Sequence, residues 1–440
     1  MRKVILLCGI LPFITSCSYM PTWLGGEEKK EERLAGKRES VLSSNNNLKV
    51  DDDIKNTSPE IPEAVSNVAW SQHNGNFTAN TANIKAGNFS NYSSATIGDG
   101  NEFSHGLVTS PVVAGGKVFA MDSAGVISAH DAVNIEKIYW KSEIVADSHE
   151  NEIMGGGLSV SGDYLYASTG QGKIAAINIK DGKKIWSRAF GVPLKGAPRV
   201  SGSNVIIVTI DSQTYALNSK DGNILWDHRG ISEIAAVMSD VTPTIFGDEV
   251  FIPYSSGEMF SLSLATGDVS WVDTLMRDSR SSVDFSGIGG DPVTDKEVVF
   301  VTGNNGVTTA ISIFNGRRVW QRHIASFNTP LLAGSELFIL SSDNVLINMV
   351  KYTGKIRWVN QLASYENPDD KEDAISWRGP VMVNGKLLLV GSNGKMIFVS
   401  ASDGKVIETK QIPDSIFTQP VIAGGRLYLV DKDAVLYSFK

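Results

Sequence analysis

Six tryptophans at positions 140, 186, 226, 271, 320 and 358 recur about every 40–50 residues, a period that in strand-rich sequence marks a β-propeller blade. In five of the six a glycine stands four residues before: Gly182, Gly222, Gly267, Gly316 and Gly354. A seventh copy has Asp403-Gly404 but carries Glu408 in the tryptophan place, and the first copy keeps Trp140 without the glycine. Each unit opens alike, with a proline or apolar residue, a short apolar run and a small turn, as in Pro111-Val112-Val113-Ala114-Gly115-Gly116 and Pro420-Val421-Ile422-Ala423-Gly424-Gly425. Runs of about five Val, Ile, Tyr and Phe residues suit strands, and Asn-Gly, Asp-Gly and Gly-Gly pairs supply the positive φ of tight hairpin turns.

Each unit therefore predicts four short antiparallel strands. Openings near Pro111, Leu158, Pro198, Pro243, Pro292, Pro330, Pro380 and Pro420 count eight units. An isolated blade exposes two apolar faces, so blades must stack, and the tryptophans belong at the blade-to-blade contacts, where a large ring buries most area. The last unit ends at Lys440 without a tryptophan strand, while Asn67-Val68-Ala69-Trp70 precedes the first unit. The expectation is an all-β, eight-bladed propeller over residues 63–440, closed by the Trp70 strand pairing with the C-terminal blade. Closure of that kind removes the exposed edge. Trp70, Trp140, Trp186, Trp226, Trp271, Trp320 and Trp358 are then the blade-docking residues.

The N-terminus differs in kind. Arg2 and Lys3 precede an apolar run from Val4 to Phe13, too short to span a bilayer and suited to a secretory signal. Ile14-Thr15-Ser16-Cys17 resembles the bacterial lipobox. That resemblance implies a signal peptide over residues 1–16, lipidation of Cys17 and anchoring in a membrane. Ser18, in place of aspartate, implies by the enterobacterial sorting rule the periplasmic face of the outer membrane. Residues 17–62 are polar, with Glu27-Glu28-Lys29-Lys30-Glu31-Glu32 and Asp51-Asp52-Asp53; such a stretch cannot bury enough surface to fold alone and reads as a flexible tether, with room for a short helix around Glu27 to Lys37.

Composition excludes several chemistries. The only cysteines are Cys8 and Cys17, so the body has no disulfide, thiolate metal site or catalytic cysteine. The formal net charge of -8 argues against nucleic acid. The histidines show no metal-ligand spacing, and Gly155-Gly156-Gly157 and Gly287-Ile288-Gly289-Gly290 precede predicted strands, not the helix a nucleotide loop requires. No catalytic constellation, cofactor site or metal site is expected.

The pattern Ala-x-Asn-x-x-Asp-Gly-x-x-x-Trp, at Ala176 to Trp186 in one form and Ala216 to Trp226 in the other, resembles the repeat of pyrroloquinoline-quinone (PQQ)-binding propellers. That repeat occurs in quinoprotein alcohol dehydrogenases and in the BamB lipoproteins of the outer-membrane β-barrel assembly (BAM) machinery. Together with the lipobox, the polar tether and a cysteine-free body, the resemblance favours the second group. It implies a non-enzymatic scaffold that binds the POTRA domains of BamA, works beside other BAM subunits, meets unfolded outer-membrane proteins, and assists their insertion. The alternatives are a PQQ-dependent dehydrogenase-like or ligand-binding periplasmic propeller and, more remotely, a cell-wall-binding lipoprotein. The family's contact motif matches Val192-Pro193-Leu194-Lys195-Gly196, with Lys195 where the family carries arginine, and Ser239-Asp240-Val241-Thr242, where a second carboxylate is missing. Val192, Leu194, Lys195 and Asp240 are the partner contacts so implied, Leu194 as apolar anchor and Lys195 and Asp240 as charged rim.

Overall fold

In the computed structural model, residues 48–55, 57–98, 100, 109–144, 155–232, 240–275, 287–304 and 306–440 are described. Met1–Asn47 forms a unit apart from Leu48–Lys440. The signal peptide, Cys17 and the Glu27–Lys37 segment lie outside the described residues.

The body is all-β. Eight antiparallel meanders follow one another, seven of four strands over residues 112–143, 156–189, 199–229, 244–274, 293–322, 331–361 and 377–411 and one of three over 421–439 that takes a fourth strand from earlier in the chain; two short parallel strands, Val65–Ser66 and Asn83–Lys85, extend the seventh. This is the arrangement of a β-propeller. The middle two strands are almost wholly buried, while the fourth is mostly exposed with its tryptophan turned inward in several sheets, as in Ile224–Arg229. An outermost strand with one face on the next sheet must have that pattern.

One ladder row explains the tryptophan period. Across the second, third and fourth strands, Phe119, Ala129 and Trp140 stand in register, as do Tyr166, Ala176 and Trp186 and Phe300, Ala310 and Trp320. A small central residue lets the flanking rings lean together, at centroid distances of 5.7, 6.1 and 6.1 Å in these three rows. Each indole then donates its N–H to a carbonyl of the following sheet: Trp140 to Ile179, Trp186 to Ser219, Trp226 to Leu264, Trp271 to Ile313, Trp320 to Lys351 and Trp358 to Ala401, at 2.6–3.0 Å.

The glycines lock the preceding tryptophan, not their own. A Cβ on Gly182 would come within 2.7 Å of Trp140, on Gly222 within 2.6 Å of Trp186, and on Gly404 within 2.5 Å of Trp358. The offset accounts for the irregular copies. The seventh unit keeps Gly404 because the sixth has Trp358. It lacks its own tryptophan, and the eighth unit lacks the glycine that would receive one. Gly222→Ala is expected to destabilise the protein by about 2–4 kcal/mol, because the residue has φ of 71° and its new methyl would overlap the indole. Urea unfolding measures the effect, and no loss would contradict the lock.

The strand that completes the last sheet is not the one expected from sequence. Tyr92–Thr96 pairs antiparallel with Val435–Phe439, and Ser93, opposite Ser438, occupies the tryptophan place. Tyr92 packs beside Phe439 and Tyr437, with ring centroids 5.2 and 5.8 Å away. Trp70 instead forms an isolated bridge with Val113 of the first sheet and is 2% exposed, so it is a core residue and not a blade-docking one. Sequence spacing misled because Tyr-Ser-Ser-Ala-Thr carries alternation without the diagnostic ring.

The polar stretch is also shorter than its composition suggests. From Leu48 the chain is laid against the sixth sheet: Asp51 bonds both backbone groups with Ile356, Lys355 pairs with Asp53, and Arg357 donates to Thr57. The expected boundary at residue 62 therefore moves to about residue 48. Two acidic residues of the supposed tether stand beside basic partners of the body, Asp53 beside Lys355 and Asp51 beside Arg322.

Candidate functional site

A single segment, residues 67–87, touches the inner end of every sheet. Asn67 bonds Ile422 and Gly424 of the eighth sheet, Trp70 bonds Val113 of the first, and Ser71 accepts from Val160 of the second. Gln72 makes a two-way amide pair with Val200 of the third, and Phe77 accepts from Ile245 of the fourth. Asn74 reaches Asp291 and Thr329, which lead into the fifth and sixth sheets, and Asn83 and Ile84 run parallel to Met382 and Val383 of the seventh.

At the turn of this segment lies a buried ionic cluster. Arg199, 0% exposed, donates to the carbonyls of His73 (2.8 Å), Asn76 (2.7 Å) and Pro243 (2.5 Å), to the Thr242 hydroxyl, and to Asp291 Oδ2 at 2.9 Å. Asp291, 1% exposed, also accepts from His73 Nδ1 (2.9 Å), Asn74 Nδ2 (2.9 Å), the Thr242 N–H (2.7 Å) and the Thr242 hydroxyl (2.7 Å). Asp240 stands 3.4 Å from His73 Nε2. Two carboxylates thus face His73, Arg199 and Lys195.

The electrostatics follow from burial against pairing. Burial by itself would depress His73, but Asp291 and Asp240 outweigh it and hold the imidazole up at about 10. Burial pushes Lys195 down to about 8 although Asp291 and Asp240 pull the other way. Burial would raise Asp291, but His73, Arg199 and the Thr242 N–H hold it well below the usual carboxylate range. The stability consequence has a definite sign. His73 binds its proton more tightly folded than unfolded, so its contribution is complete below about pH 6.5 and is lost as pH rises towards 10. Lys195 acts oppositely, its burden easing between about 8 and 10.5. Stability should fall by about 1–2 kcal/mol between pH 6.5 and 8 and level off above that. In His73→Gln the decline should vanish; denaturant titrations at stepped pH decide it.

The residues implied as partner contacts are divided by the structure. Leu194 is 0% exposed, bridges Thr209 and packs with Val200, Val205 and Ile207 of its neighbouring sheet. Lys195 is 2% exposed, facing the ionic cluster. Neither presents its side chain to a partner, which corrects the anchor-and-rim reading for both: an apolar residue just ahead of a first strand is drawn into the core. Val192 is half-buried and the Asp240 side chain is 31% exposed, so these two remain reachable. Ser239 lies outside the described residues. Sequence reading missed His73, Asn74, Arg199 and Asp291. The one signal was Arg199 itself, a charge directly after Pro198 where Pro111, Pro380 and Pro420 are followed by valine.

The alternative reading requires a centre able to hold a quinone and calcium. Among the described residues no group of three or more His, Cys, Asp or Glu side chains is placed to hold a metal. Asp291 is already saturated by the chain's own donors, and the space at the inner strand ends is taken by residues 67–87. This donor set does not fit that cofactor.

Repeats of this form, locked by indole against glycine, define a propeller of the PQQ-like repeat class. The family profile described as outer membrane protein assembly factor BamB matches residues 136–360 and 364–440. The chain belongs to that family. It is similar to BamB of Yersinia pestis, 23% identical over 78% of this chain and 86% of that one, and to BamB of Escherichia coli K12, 25% identical over 64% and 83%. Among solved structures it resembles BamB from Moraxella catarrhalis (TM-score 0.66, 17% identity, 79% of this chain and 98% of that one). It equally resembles quinohemoprotein alcohol dehydrogenase from Comamonas testosteroni (TM-score 0.67, 11% identity, 86% and 81%), which bears on the fold alone.

Proposed function

We propose that this protein is a non-catalytic scaffold of outer-membrane β-barrel assembly, an eight-bladed ring anchored by lipid on Cys17 to the periplasmic face of the outer membrane. It works with BamA, through that protein's POTRA domains, and with the other BAM subunits, and assists insertion of barrel proteins. The observation that carries the reading is the family match over most of the ring body.

The ring count is supported by eight successive sheets and by two contacts between the last and the first: the Tyr428 hydroxyl donates to Ala132 (2.6 Å), and the Gln419 N–H to Ser110 (3.0 Å). The absence of enzymatic chemistry is supported by a centre whose carboxylate Asp291 is saturated by the chain's own donors. The lipid anchor is supported by the lipobox resemblance at Ile14 to Cys17. The partner contact on this reading uses the accessible members of the motif, Val192 and Asp240.

Co-purification with BamA from detergent-solubilised outer membranes tests the proposal. Recovery of BamA with the native chain, and loss of membrane retention in Cys17→Ala, are expected. A chain that brings down no BAM subunit, or one that takes up a quinone cofactor with redox activity, would overturn it.

A further inference from the structure

The seventh sheet breaks the ring-packing rule in a way that leaves a slot. Its ladder row reads Leu388, Phe398, Glu408, where the first six sheets read aromatic or isoleucine, small or amide residue, then tryptophan, and the eighth reads Tyr428, Ser438, Ser93. The aromatic ring has moved inward by one strand, and the outer position, where six sheets hold an indole, carries a carboxylate. Beside it lies a surface cavity of about 330 Å³, lined among others by Val383, Lys386, Phe398, Glu408, Gly87 and Asn88.

The chain fills only the inner part of this gap. Phe89, 2% exposed, stacks on Phe398 at 6.3 Å, and the Ser90 N–H takes the Lys440 carbonyl, one residue past the last strand. In the other seams the residue one past the third strand, such as Ile179, supplies the carbonyl to the indole. Gly87 lies on the wall with its Cα facing the backbone of Lys440, where a Cβ would come within 3.0 Å. Two ammonium groups stand over Phe398, Lys386 at 6.0 Å and Lys410 at 5.6 Å, and Lys410 lies 3.3 Å from Glu408. Two cations against one carboxylate leave the rim positive.

We propose that this slot receives an aromatic side chain, carried next to a carboxylate, from another polypeptide. Such a guest ring would complete the seventh seam as the chain's own indoles complete the first six. Phe398 and Val383 line the place of the ring, and Lys386 pairs with the carboxylate. The proposal deepens the scaffold reading, and rests on it in taking the guest to be a polypeptide. It does not depend on BamA, so its failure leaves that contact intact.

The test uses N-acetyl-tryptophan as probe on the purified full chain, read by saturation-transfer NMR. Millimolar binding with the transfer strongest on the indole is expected, and none for N-acetyl-alanine. Glu408→Trp supplies the missing ring and should abolish transfer while raising the melting temperature. Lys386→Glu changes only an exposed side chain, so folding is spared; it should weaken N-acetyl-tryptophan at least five-fold and leave N-acetyl-tryptophanamide unchanged. Absence of binding to the native chain at 10 mM (an experimental ceiling of about that order), or equal binding to the native chain and Lys386→Glu, overturns the proposal.

Discussion

Arg199→Met is expected to destabilise the protein by about 3–5 kcal/mol, the largest effect of any single change considered, because it strands a buried carboxylate. Asp291 would keep His73, Asn74 and Thr242 as donors but lose its guanidinium, and the carbonyls of His73, Asn76 and Pro243 would lose theirs. The central segment would then be held on fewer bonds at its turn. Removing both charges should cost less than the sum of the single changes: Arg199→Met with Asp291→Asn should recover about 1–2 kcal/mol relative to additivity, since the two groups share one network. Guanidinium chloride unfolding of the three variants measures this. Strict additivity would mean that the ion pair contributes nothing beyond its separate hydrogen bonds.

Leu194→Glu comes next in size and bears on function. In the family-derived reading the change removes an exposed anchor and leaves the fold alone. In the structure the side chain is fully buried beside Val200, Val205 and Ile207, and a carboxylate there has no partner. The expected result is a loss of roughly 3 kcal/mol or more of stability, seen as a lowered melting temperature by circular dichroism, with BamA binding lost only as a consequence. Val192→Asp should do the reverse, keeping the native melting temperature within about 0.5 kcal/mol of stability while reducing BamA recovery. If Leu194→Glu melted as the native chain does but failed to bring down BamA, the buried placement would be wrong and the anchor role restored.

The contrast shows where sequence reading stopped. A family motif placed Leu194 and Lys195 correctly in the chain, at the connection ahead of the third sheet. It could not say which way they face, because the connection between sheets turns inward or outward according to what fills the middle. Here the inner strand ends are covered by residues 67–87, whose composition, rich in Asn and Ala, gives no period and no hint of a buried role. For the same reason Trp70 was assigned to the wrong strand. A lone ring before the first repeat fits a closing strand equally well as a central one, and only the pairing of Tyr92–Thr96 with Val435–Phe439 separates them.

The offset between each tryptophan and the following glycine could have been read from the sequence, since the copy without a glycine and the copy without a tryptophan stand at opposite ends of the series. The ionic cluster could not. His73, Arg199, Asp240 and Asp291 are separated successively by 41 to 126 residues along the chain, and nothing local to any of them signals the others.

By itself the sequence determined the period, the four-stranded unit and the six tryptophans that pack one sheet on the next, because these depend on interactions within a repeat or between consecutive repeats. The tertiary structure alone decided which strand completes the last sheet, what occupies the inner strand ends and which motif residues stay within reach of a partner. Those depend on contacts between the first hundred residues and every sheet that follows, and such long-range pairing leaves no periodic trace in the chain that makes it.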